Sequence, residues 1–120
     1  MKRVLIVHGQ TELSQLWSRH LTRSGVEVQL ARDTDTAIKA LGGTRFDVML
    51  LSLTLERGSA LAIADYANYR RPDCRVLFVS NNKFFSDGSL FNHVSNANLM
   101  LPDDVPPEDL TAVVQHYATH

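Results

Sequence analysis

Five short apolar runs, each followed by a more polar stretch, constrain this chain more than any other feature. RVLIV (Arg3 to Val7), VEVQL (Val26 to Leu30), VMLLSL (Val48 to Leu53), RVLFVS (Arg75 to Ser80) and NLMLP (Asn98 to Pro102) all have strand length. Four of them are apolar almost throughout, the mark of strands buried on both faces. The second alternates, as a strand with one face partly wet does.

Between the runs, apolar residues recur at helical spacing. Leu13, Leu16, Trp17, His20 and Leu21 share one helix face, and Gly25 stops that helix as a left-handed cap. Asp33 can cap the next helix, whose stripe is Ala37, Ile38 and Leu41 and whose end is Gly42 and Gly43. Ala60, Ile63, Ala64 and Ala67 make a narrow small-residue stripe that Pro72 closes. A weaker helix in FFSDGSLFNHV turns Leu90, Phe91 and Val94 inward. Pro107 opens the last helix, where its missing N–H costs nothing. Glu108 and Asp109 complement the dipole there, and Leu110, Val113, Val114 and Tyr117 give the core stripe.

Five β/α units predict a three-layer α/β domain with a parallel sheet covered on both faces. Right-handed crossovers leave few topologies, and the doubly wound, flavodoxin-like order 2-1-3-4-5 is the commonest for this number of units. Ligands in such sheets gather beyond the carboxyl ends of the strands at the switch point, here between strands one and three. His8, Gly9 and Gln10 follow strand one, Ser52 closes strand three, and Ser80 closes strand four. The candidate pocket is therefore His8, Gly9, Gln10, Ser52 and Ser80.

With 120 residues, the chain is expected to form a single domain over 1–120. Its formal net charge of -1 argues against nucleic acid as an obligatory partner. Arg70–Arg71, the one adjacent basic pair after the start, reads as a solvated helix end. The single cysteine, Cys74, forbids an internal disulfide and reads as a small inert residue, which suits a reducing compartment. The opening apolar run, Val4 to Val7, is too short for a signal-peptide core or a membrane span, so a cytoplasmic protein without membrane contact is expected.

In this order and spacing the segments resemble the response-regulator receiver domain, the phosphoacceptor module of two-component signalling. KRVLIV is similar to the family's first strand, and LARDTDTAIKAL to its second strand end and second helix. FDVMLLSLTLERGSAL resembles the segment around its acceptor aspartate. RVLFVS resembles the fourth strand ending in Ser or Thr, and NLMLP the segment ending in Lys-Pro. The resemblance extends over essentially the whole chain, but the chemistry departs from it. The two magnesium-holding acids match His8 and Gly9, the acceptor matches Ser52, and the phosphate-contacting lysine matches Leu101. The fourth-strand hydroxyl remains as Ser80. The switch aromatic matches Asn98, the acceptor-loop proline Glu56, and the glycine after that loop's serine Ala60.

Magnesium wants near-octahedral oxygen ligands with one or two carboxylates. Imidazole, a glycine backbone and hydroxyls are a poor set. A serine hydroxyl, unlike an ionised aspartate, is not nucleophilic at neutral pH unless a base activates it. No acid is evidently placed to orient His8 as that base, and Asp33 is the one candidate. His8 is also a conceivable pH sensor. The five histidines lack zinc-ligand spacing, His116 and His120 pairing only at a fraying helix end, and HGQTE is not a phosphate-cradling glycine loop.

These readings combine into a degenerate receiver, or pseudo-receiver. It would be a non-enzymatic signalling module without metal or cofactor, acting through an unidentified protein partner. The resemblance implies a contact face on the fourth helix, fifth strand and fifth helix, where homodimers can also form. Phe84, Phe85, Asn98 and Met100 are the surface candidates, Phe84 and Phe85 because adjacent aromatics on a helix cannot both point inward. The competing reading is a small-ligand-binding or serine-phosphorylated α/β domain using His8, Ser52 and Ser80.

Overall fold

The structure is a computed structural model, and it describes residues 1–55, 58–80 and 97–119. Strands β1 (Arg3–Val7), β2 (Glu27–Ala31), β3 (Val48–Ser52), β4 (Arg75–Ser80) and β5 (Ala97–Pro102) alternate with helices α1 (Thr11–Arg23), α2 (Thr34–Gly43), α3 (Ala60–Arg70) and α4 (Pro107–Thr119). All strand pairs are parallel, in the order β2-β1-β3-β4-β5. The expected architecture is thus observed. The expected helix containing Leu90, Phe91 and Val94 lies outside the described residues, as do Phe84, Phe85 and Glu56.

The period-2 alternation of the buried strands divides the core into two layers. Leu5, Val7, Met49, Leu51, Val76 and Phe78 face α2 and α3, meeting Ala37, Leu41, Ile63, Ala64 and Ala67. Val4, Ile6, Val48, Leu50, Leu77, Val79 and Leu101 face α1 and α4, meeting Trp17, Leu21, Leu110 and Val114. Each fully buried large side chain contributes on the order of 1.5–3 kcal/mol. No helix among the described residues is long and apolar enough to cross a membrane.

Local chemistry fixes the ends. The N–H groups of Gly25 and Val26 return to the carbonyls of Thr22 and Leu21, closing α1 in a Schellman motif. Gly25 takes the left-handed φ of 93° that this requires. Val26 is spent on the cap, so β2 begins one residue later than the apolar pattern suggests. Asp33 caps α2, accepting from the Thr36 N–H at 2.9 Å within a capping box. At the other end of α2, Arg71 Nε donates to the Leu41 carbonyl at 2.9 Å and Arg70 Nη2 to the Gly42 carbonyl at 3.1 Å. The Arg70–Arg71 pair is exposed in part, as expected, but also ties α3 to the carboxyl end of α2.

The segment after β3 is docked on α2. Gly58 has φ 93°, and a Cβ there would overlap Thr34 Oγ1 and lie 2.6 Å from Thr34 Cβ. Thr34 Oγ1 accepts from the Ser59 N–H at 3.0 Å, and Ser59 Oγ in turn caps α3 through the Ala62 N–H. The loop leaving Ser52 is thereby anchored at its far end.

Candidate functional site

β1 and β3 are neighbours, with Val7 opposite Leu51. The residues that follow, His8 and Ser52, therefore stand side by side at the carboxyl end of the sheet. The His8 N–H extends the β1–β2 ladder to the Ala31 carbonyl at 3.1 Å. Its imidazole is 3% exposed and meets the Trp17 ring edge-to-face, with centroids 5.5 Å apart.

Both ring nitrogens of His8 are engaged. Nδ1 accepts the Gln10 N–H at 3.0 Å, so the ring proton resides on Nε2, which donates to Asp103 Oδ1 at 3.2 Å. Asp103 is carried by the turn after β5. Its N–H bonds the Ser80 carbonyl at 2.9 Å, and the Val105 N–H closes the turn on the Pro102 carbonyl at 3.1 Å. Two strands separate β1 from β5, an offset of roughly 14 Å at ordinary strand spacing. The His8–Asp103 bond therefore reaches across the ends of β3 and β4, where Ser52 and Ser80 are both fully buried.

Ser52 is occupied locally. Its Oγ accepts the Thr54 N–H at 3.2 Å and shares a second bond with Thr54 Oγ1 at 3.2 Å. Ser80 Oγ has no partner among the described residues. No nitrogen of His8 is left to take a proton from Ser52, so His8 is not the free base that a serine nucleophile requires.

The acid that orients His8 is Asp103. Asp33 is committed to the α2 cap. Asp103 also corrects the expectation of a pocket without any carboxylate: one stands at the rim, already bonded to the imidazole. Among the described residues the donor set still does not fit magnesium, which would find a single engaged carboxylate, an engaged histidine and serine hydroxyls. Among the described residues no group of three His, Cys, Asp or Glu side chains is placed to hold a metal ion. Gly9 owes nothing to crowding, since a Cβ there would meet no atom within 4 Å.

No protein-family model matches the sequence, and no curated protein matches it. Solved structures do. The chain superposes on a response regulator receiver domain protein (CheY-like) from Methanospirillum hungatei JF-1 with a TM-score of 0.90, at 19% identity, over 99% of this chain and 94% of that one. This chain has the receiver fold. A response regulator from Burkholderia pseudomallei with a phosphorylated aspartic acid, calcium ion and citrate gives 0.83 at 22% identity, over 99% of this chain and 69% of that one. TrrA from Thermotoga maritima, in complex with Mg2+ and BeF, gives 0.83 at 20% identity, over 98% and 99% of the two chains.

Within the receiver fold, Leu101 lies at the end of β5, in register with Val79. It is 9% exposed and packs into the apolar layer toward α1 and α4, so an aliphatic side chain is well accommodated there. Met100, a surface candidate, is half-buried and packs on the opposite layer. Asn98 lies in β5. The structure thus brings His8, Gly9, Ser52, Ser80 and Leu101 to one end of the sheet and adds Asp103, which sequence spacing did not single out. The available signal was PDD after the last strand: an acid just past a turn-forming proline at the same sheet end as His8.

Proposed function

We propose that this domain is a pseudo-receiver, a signalling module of the two-component type that works through protein contacts without aspartyl phosphorylation. One observation carries the reading: the place between β1 and β5 is spanned by the His8–Asp103 hydrogen bond, with a serine bonded to its own loop beneath it. Among the described residues, a phosphoryl group arriving there would meet neither a free carboxylate nor an ammonium, and it would have to displace an internal pair that is mostly shielded from water. The same bond holds the β1–α1 and β5–α4 loops together without a ligand, which suits a module that presents one docking state constitutively. The face around β5 and α4 is the proposed contact surface, toward a protein partner in the cytoplasm or a second copy of the chain.

The test is a titration with magnesium and beryllofluoride followed by amide NMR. Unchanged resonances for His8, Ser52, Thr54 and Asp103 are expected. Saturable shifts at those residues would overturn the proposal, as would a stoichiometric mass gain of about 80 Da (one phosphate) after incubation with a small phosphodonor.

A further inference from the structure

The other end of the sheet carries a feature that the pseudo-receiver reading does not use. A cavity of about 420 Å³ opens at the amino-terminal ends of β1, β3 and β4, and Arg3, Arg45, Arg70, Arg71, Asp47 and Asp73 line it. Its size lies within the roughly 300–1,000 Å³ usual for small-molecule sites. Four arginines from three separate stretches of a chain with only 12 basic residues converge there.

Arg3 is paired with Glu27, but Arg45, Arg70 and Arg71 form no ion pair among the described residues. Arg71 spends Nε on the Leu41 carbonyl and Nη2 on that of Gly42, and Arg70 spends Nη2 on Gly42. These bonds orient both guanidinium groups through neutral carbonyls and leave Nη1 of each unpaired among the described residues. Arg3 uses Nε on Glu27 at 2.8 Å and keeps both terminal nitrogens. Arg45 is exposed and bonded to nothing among the described residues. Asp47, one of the two acids, is already engaged by the Arg3 N–H at 2.9 Å. Guanidinium groups fixed beforehand lose less freedom on binding, and their paired N–H donors match the oxygens of phosphate or carboxylate.

We propose that this cavity binds a small multivalent oxyanion, a molecule with two or more phosphate or carboxylate groups. It would bridge the oriented Arg70–Arg71 pair and the free Arg45. The site is separate from the His8 end, so it stands or falls independently of the pseudo-receiver reading.

The experiment is amide and arginine side-chain NMR of the whole chain, titrated with inorganic pyrophosphate in one arm and citrate in another at low ionic strength. Chloride at matched ionic strength is the control. Saturable shifts at Arg45, Arg70, Arg71 and Asp73 are expected at millimolar or lower concentrations, and the stronger arm tells phosphate from carboxylate. Arg45→Gln removes an exposed side chain without a partner, so its melting curve should match the parent while affinity falls about ten-fold. Shifts that chloride reproduces, that map to His8 and Gln10 instead, or that Arg45→Gln leaves unchanged would overturn the proposal, as would none in either arm.

Discussion

The His8–Asp103 bond can be weighed by a double-mutant cycle. A hydrogen bond to a charged acceptor is worth about 1.5–3 kcal/mol. The Asp103 side chain is 26% exposed and keeps some of its hydration, which puts the pair at the lower end, about 1.5 kcal/mol. Asp103→Ala should cost that amount, because it leaves Nε2–H of a buried imidazole without an acceptor. His8→Ala should cost more, about 2.5 kcal/mol, since it also removes the edge-to-face contact with Trp17. The Gln10 N–H it abandons is close to solvent and can turn to water. For a domain of this size 1.5 kcal/mol corresponds to roughly 6 °C in Tm. Urea denaturation followed by the fluorescence of Trp17, the chain's single tryptophan, supplies all four stabilities. The double variant should lose about 1.5 kcal/mol less than the sum of the singles. Additivity within about 0.5 kcal/mol would refute the bond as a fixed feature and remove the chief support for a constitutively closed pocket.

Gly58→Ala should destabilise by more than about 2 kcal/mol, since it combines a left-handed backbone with a Cβ driven into Thr34; Thr34→Gly in the same chain should recover part of that in denaturant titrations. Asp33→Ala should cost about 1 kcal/mol by removing the α2 cap, measurable as a lower urea midpoint with an unchanged m-value. Burial, reinforced by the nearby Asp47 charge, pushes the Cys74 thiol from 9.0 up to about 12. The unfolded chain releases that proton first, so stability should fall as pH rises from about 9 toward 12, by as much as about 1.4 kcal/mol per pH unit. Cys74→Ala should flatten this slope in alkaline melts, and the native thiol should stay inert to alkylating reagents at pH 8.

The fold was legible because its signals are local and repeated. Ala60, Ile63, Ala64 and Ala67, predicted as one stripe, are the residues α3 buries. Pro107, Gly25 and Asp33 mark helix ends by backbone chemistry that needs no partner. The site was legible only as a set of positions. Topology alone brings His8, Ser52, Ser80 and Leu101 to one sheet end, because each sits at or just past a strand terminus. Their hydrogen bonds were not legible: the acid facing His8 lies 95 residues away, and its approach depends on how the turn after Pro102 aims one side chain. Ser14 was missed on the buried face of α1 for a related reason. A small polar residue gives no periodic apolar signal, yet it can still point inward.

That separation of 95 residues also has a kinetic meaning. A contact joining the first strand to the segment past the last carries a large loop-closure cost, so it is expected to form late in folding. Its removal should leave the refolding rate nearly untouched and appear almost entirely as faster unfolding. The lifetime of the native domain would then be set in part by one histidine–aspartate pair.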